Sequence, residues 1–253
     1  MCIKWIISRL LGIGCMGVLV ACSSGGDDNS STTPAAPAAT SAEGLWKGTT
    51  STDRTVGGLV LDDGSYWFLY TVIGSPNVAA GLVQGNGTSQ NGSFTSSNTK
   101  DFNLEGSEIL DATISASYIP KNSLNGTIAY LNGGTGNFTS SYDVDYELDP
   151  DMNLIAGAYS APLADSQTVT VTASSAGTLS GNSSDGCIFA GSFSPRAKGN
   201  VFNVSVTFGG GACSNGTDTV NGIAFFDAAT QRLYSAALNN ARTNGFVFIG
   251  SKL

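Results

Sequence analysis

Three observations predict an all-β protein. From residue 45 onward, short runs rich in Val, Ile, Thr, Tyr and Phe recur. Gly, Asn, Asp and Ser interrupt them about every eight to twelve residues. No stretch carries a convincing helical repeat: in the best candidate, residues 110 to 118, Leu110, Ala112, Ile114, Ala116 and Tyr118 alternate with Asp111, Thr113, Ser115 and Ser117. That period is two, the period of a strand.

The alternation places about eight strands before Asp149-Pro150 and about eight after it. In the first half they fall near residues 46–50, 56–61, 66–73, 81–88, 93–97, 112–119, 124–131 and 138–146, with Asp63-Gly64 and Asn91-Gly92 as hairpin turns. In the second half they fall near residues 156–160, 168–173, 178–182, 187–194, 201–208, 220–226, 233–238 and 246–250. Connections this short favour an antiparallel meander. Asp149-Pro150-Asp151 reads as a seam, giving β-units 44–150 and 151–253. Each unit opens with Gly-x-aromatic, Gly44-Leu45-Trp46 and Gly157-Ala158-Tyr159, and has enough strands for a small closed barrel. The rival arrangement is one larger sandwich or barrel sharing strands from both halves. Two tandem eight-stranded barrels are the expectation.

Cys187, Phe189 and Phe193 fall on one face of a strand, and Phe202, Val204, Val206 and Phe208 on one face of the next. The Pro195–Asn200 turn folds the second strand onto the first, and the loop at Gly209-Gly210-Gly211 carries Cys213 toward Cys187. In an exported chain such an isolated pair is most simply a disulfide, contributing about 3.5 kcal/mol in the chain-entropy model.

Export is read from the first residues. Lys4 and Arg9 precede a short apolar core, so residues 1–21 read as a signal peptide. That core is far shorter than the roughly 20 apolar residues needed to span a bilayer. Leu19-Val20-Ala21-Cys22 resembles the lipobox of bacterial lipoproteins, which implies cleavage after Ala21 and a diacylglyceryl, N-acylated Cys22. Several acyl chains on one residue make a stable membrane anchor. Ser23 is not the aspartate that retains enterobacterial lipoproteins at the inner membrane, so the resemblance implies the outer membrane. Residues 22–43, rich in Ser, Thr, Gly, Pro and Ala, read as a flexible tether with a mean reach of about 25 Å.

Composition closes off several chemistries. Without Lys4 and Arg9 the chain keeps 9 basic residues against 19 acidic ones, a net charge of −10, which disfavours nucleic acid. With no histidine there is no Ser-His-Asp triad, no histidine metal site and no imidazole switch. No catalytic residue, metal site or cofactor is assigned.

Four stretches bear on function. Gly44-Leu45-Trp46-Lys47-Gly48 resembles the Gly-x-Trp opening of lipocalins, in which the Trp plugs the barrel and an Arg packs across it; Arg242 is the matching Arg by that resemblance. Asp143, Asp145, Glu147, Asp149 and Asp151 alternate, so on a strand they would share one face, as a solvated edge or a Ca²⁺ site. Tyr66-Trp67-Phe68-Leu69-Tyr70 is apolar on both faces and needs cover, from the other half or from a partner. Ser97-Asn98-Thr99-Lys100 has the Ser-x-x-Lys spacing of penicillin-binding enzymes, whose other motifs do not occur in the sequence.

The lipidated Cys, tether and Gly-rich barrels together resemble the surface lipoproteins of Gram-negative bacteria that bind host transferrin or complement factor H. The expectation is a non-enzymatic, outer-membrane-anchored binding or envelope-interaction module for an unknown protein, glycan or small apolar ligand. A lipocalin-like carrier is the alternative. Cys22→Ser should leave an unlipidated precursor; detergent phase partitioning identical to wild type would contradict the anchor.

Overall fold

The computed structural model describes residues 40–163 and 167–253. The expected signal peptide, Cys22 and most of the expected tether lie outside these described residues.

Within them the chain forms two closed antiparallel barrels of eight strands each, with short connections throughout. The first uses β1 (Gly44–Thr50), β2 (Thr55–Val60), β3 (Ser65–Val72), β4 (Ser75–Asn86), β5 (Thr88–Gln90), β6 (Ser93–Asn103), β7 (Glu108–Ile119), β8 (Ser123–Tyr130) and β9 (Thr135–Asp143). The ring runs β4-β3-β2-β1-β9-β8-β7-β6 and closes where β4 pairs with β6; β5 is a three-residue flap on β6. The second barrel uses β10 (Gly157–Pro162), β11 (Thr168–Ala173), β12 (Thr178–Ser183), β13 (Ile188–Pro195), β14 (Phe202–Phe208), β15 (Thr219–Asp227), β16 (Arg232–Leu238) and β17 (Gly245–Lys252), and closes through β10 and β17. Closure leaves no long unpaired edge for aggregation. Asn91 and Gly92, both with positive φ (50° and 80°), form the two-residue turn between β5 and β6 that the twist of a hairpin favours.

β4 begins at Ser75 rather than near residue 81, β7 begins at Glu108 rather than near 112, β5 is an additional strand, and two further strands end differently from expectation. The strand expected at 93–97 continues to Asn103 across a bulge between Ser96 and Thr99. The strand expected to run to Tyr146 stops at Asp143, whose side chain accepts a hydrogen bond from the Asp145 backbone N–H and caps a 3₁₀ turn, Val144–Glu147. Asp151 caps a single helical turn, Met152–Ile155, in the same way. Local capping competes with the strand ladder here, so the acidic alternation never becomes one face.

The two Gly-x-aromatic openings are built alike. Trp46 is fully buried and its Nε1–H donates to the carbonyl of Ala42, four residues back, at 2.9 Å. Tyr159 is fully buried and its hydroxyl donates to the carbonyl of Ile155, also four residues back, at 2.6 Å. Gly44 and Gly157 carry positive φ (156° and 150°), and a Cβ at either would lie 2.5 Å from Tyr142 or 2.6 Å from Lys252. Each opening thus folds the incoming chain over one barrel end. Ala42, read above as tether, is fully buried, its N–H donates to Ser89 Oγ, and the neighbouring Thr40 carbonyl accepts from Tyr118.

The second barrel is filled. Phe189, Phe193, Phe202, Phe208, Phe226 and Phe248 are all buried inside it. The Cys187–Cys213 disulfide, spanning 26 residues, ties the start of β13 to the loop between β14 and β15.

The barrels pack wall to wall. Trp67, Leu69 and Leu82 on the outside of β3 and β4 join one apolar cluster with Ile223, Phe225 and Ile249 on the outside of β15 and β17. Each large side chain buried there contributes about 1.5–3 kcal/mol. This resolves the Tyr66–Tyr70 run: Tyr66, Phe68 and Tyr70 point into the barrel while Trp67 and Leu69 face the neighbour. Lys47 sits across the seam with its Nζ 2.6 Å from Asp143 and 2.6 Å from Asp227.

Trp46→Ala should cost the first barrel about 3–5 kcal/mol in chemical denaturation. Trp46→Phe, which keeps most of the ring volume, should cost less than half as much. Equal losses would show that the Nε1 hydrogen bond, not the filled volume, closes that end.

Candidate functional site

The first barrel is closed at the Trp46 end and open at the other. Along the closed half, Trp46 meets Tyr142 edge-on at 5.4 Å between ring centroids. Deeper in, the Tyr66 hydroxyl is shared between Ser96 Oγ at 2.9 Å and Thr99 Oγ1 at 2.7 Å. Beyond this layer lies a cavity of about 400 Å³, inside the range of small-molecule pockets, roughly 300–1,000 Å³. Phe68, Val83, Ile114, Leu124, Ile128 and Phe138 form much of its apolar wall. The mouth is edged by Thr50 at the end of β1, by Ser51, Thr52 and Arg54 in the turn to β2, by Asn103 at the end of β6 and Glu105 after it, and by Thr135–Asn137 at the start of β9. The turns at this end also expose Ile73, Leu104 and Leu131.

One charged group lies inside. Asp101 on β6 is 3% exposed and lines the cavity. Its Oδ1 accepts from the Tyr70 hydroxyl at 2.8 Å and its Oδ2 from the Tyr130 hydroxyl at 2.7 Å. In the ring Tyr70 on β3 lies beyond β4 and Tyr130 on β8 beyond β7, so the two hydroxyls come from opposite sides. Arg54 is the cation among the described residues that acts on Asp101. Its Nη2 pairs with Glu105 at 2.7 Å, its Nη1 donates to the Thr71 carbonyl at 3.0 Å, and its guanidinium lies 5.6 Å from the centre of the Tyr70 ring. Arg54 thereby straps one side of the mouth.

Burial pushes the Asp101 carboxyl above its ordinary value, and the two tyrosine hydroxyls and Arg54 offset only part of that. Burial, followed by the proximity of Asp101, pushes Tyr70 and Tyr130 well above the ordinary phenol range. Both therefore remain neutral donors at physiological pH.

The bulge decides that Asp101 is inside. On β6 the even residues Phe94 and Ser96 face the core before it, and the odd residues Thr99 and Asp101 after it. An extra residue in one strand shifts every later side chain to the other face. Without it Asp101 would face out and Phe102, now in the inter-barrel cluster, would face in. Sequence reasoning missed Asp101 because it ended this strand at Ser97. The trace that was there is the second alternation, Thr99, Asp101 and Asn103 against Lys100 and Phe102.

The stretches singled out in the sequence fall elsewhere. Arg242 does not cross Trp46; it precedes the last strand of the second barrel and donates to the carbonyls of Gln84 at 2.6 Å and Asn98 at 3.0 Å. The lipocalin pattern needs Trp and Arg in one barrel, and here they belong to two. Ser97 and Asn98 form the bulge, while Lys100 points outward to Asp111 at 2.8 Å. Asp143 pairs with Lys47 and Glu147 with Lys121, and no cluster of three or more His, Cys, Asp or Glu among the described residues has the arrangement of a metal site. Cys187 and Cys213 are joined as described. No family model matches the chain, and no curated protein matches it either.

A group whose folded-state pKa is raised adds stability at low pH that is lost as pH rises through that value. Asp101→Asn should therefore match or exceed wild-type stability at pH 7, by up to about 1 kcal/mol, with the advantage vanishing below the ordinary carboxyl range. Melting curves across pH 4–8 test this; a penalty for the variant that grows with pH would mean the carboxylate is a net stabiliser.

Proposed function

We propose that this chain is a lipid-anchored outer-membrane protein whose pair of barrels acts as a non-enzymatic binding module, the first barrel holding a small, mainly apolar ligand. The observation that carries this reading is the contrast between the two interiors. Two barrels of equal strand number lie side by side, and the second is packed with phenylalanine while the first keeps an open, apolar chamber of about 400 Å³. Uncompensated voids of this kind cost stability through lost packing. A ligand that fills the chamber removes that cost.

The position of the chamber suits the role. The ligand enters at the end opposite Trp46, past turns that expose Ile73, Leu104 and Leu131. Packing against the second barrel holds the β2–β4 wall rigid, which keeps the chamber preformed. The lipobox resemblance at Leu19–Cys22 supports the anchor, and the stretch after it supplies a tether between lipid and barrels.

Native mass spectrometry of the protein purified from its own cells should show a retained small molecule. Ile128→Trp, which narrows the chamber, should lower the fraction of protein carrying that extra mass while leaving melting within a few degrees of wild type. A wild-type spectrum at the bare protein mass, together with no saturable uptake of a hydrophobic fluorescent probe, would overturn the carrier reading.

A further inference from the structure

Resting on that reading, we infer that the first-barrel chamber selects an amphiphile with a single protonated amine head, its ammonium seated on Asp101 between Tyr70 and Tyr130 and its hydrocarbon body in the apolar chamber.

Asp101 is the only acidic residue buried inside this barrel among the described residues. Each of its oxygens accepts one neutral hydroxyl, from Tyr70 or from Tyr130, and each retains a further acceptor lone pair. No cation among the described residues hydrogen-bonds to it. Arg54 is already committed to Glu105 and to the Thr71 carbonyl, and its guanidinium lies over the outer ring rather than on the carboxylate. A buried carboxylate with only neutral donors is costly, and a charge-assisted partner removes most of that cost. The free acceptor sites open onto the chamber, since Asp101, Tyr70 and Tyr130 all line it.

The surroundings match an ammonium better than other heads. Tyr70 and Tyr130 both line the chamber beside the carboxylate; Arg54 already lies over the Tyr70 ring, so the Tyr130 ring is the aromatic face on offer to a desolvated cation. Glu105 at the mouth and Glu108 nearby add negative potential. An anionic head would meet Asp101 and Glu105 and gain only Arg54, whose charge Glu105 already shares. A neutral hydroxyl could donate to Asp101 but would bring no compensating charge. Phe68, Val83, Ile114, Leu124 and Ile128 then receive an alkyl or aryl body without hydrogen-bonding demand.

The test is competitive displacement of the neutral fluorescent probe N-phenyl-1-naphthylamine from the purified protein at pH 7 by octylamine, octanol and octanoate. Octylamine should displace the probe at a concentration at least tenfold below that of octanol or octanoate. Asp101→Asn should still bind the probe, with octylamine and octanol now equal within about twofold. Tyr130→Phe, which leaves the carboxylate in place, should keep the amine preference. Probe binding with equal displacement by all three, or with octanoate preferred, overturns the amine assignment and leaves the carrier reading standing. Failure of the wild-type protein to bind the probe at all overturns both.

Discussion

The apolar wall shared by the two barrels is the contact on which the other features depend. A strand in a closed barrel has one face inside and one outside, and the outside face ordinarily meets water. Here β3 is apolar on both faces because Trp67 and Leu69 lie against Ile223, Phe225 and Ile249 of the second barrel. Removing the second barrel would expose that row. The first barrel is therefore a unit whose β2–β4 wall is completed by its neighbour, while β7 to β9 carry polar residues outward.

Charge reinforces this wall at its edges. Lys47 is drawn toward neutrality by partial burial, but hydrogen bonds to Asp143 and Asp227 outweigh it and hold its pKa above the ordinary value. Asp227 is pushed up by burial and pulled down further by Lys47 and by the Thr230 N–H, so its net shift is downward. The pair is at its strongest where both are charged. Arg196 reaches Asp62 at 2.9 Å, and Arg242 reaches two carbonyls of the first barrel, so basic residues of the second barrel clamp the first at several points. Such contacts add orientation more than stability, because exposed ion pairs are worth little each.

The rigid wall and the bulge together shape the chamber. A barrel of eight strands is just wide enough for side chains to fill it, as the second barrel does. In the first, Trp46, Ala42 and Tyr142 crowd one end and the chamber lies toward the other. Asp101 is out of place by the usual rule for interiors, and its direct hydrogen bonds come from the neutral hydroxyls of Tyr70 and Tyr130, with Arg54 acting on it only through space.

The alternating strand pattern, the two Gly-x-aromatic openings and the Cys187–Cys213 pairing could be read from the amino-acid order, because side-chain alternation, turn residues and cysteine number are local properties. Closure into two separate eight-stranded rings agrees with that reading, but the sequence also allowed a single shared sheet. Pairing of β4 with β6 and of β10 with β17 is long-range, and no local pattern encodes it. The acidic run at 143–151 misled for a related reason: its alternation was genuine, but capping by Asp143 and Asp151 ended the strand. Asp101 was hidden because one bulge reverses inside and outside beyond Ser96, and where a bulge falls is set by the strands on either side. The order of residues sufficed for the elements and the covalent bridge; the chamber, its buried acid and the wall that holds it rigid arise only when distant strands meet.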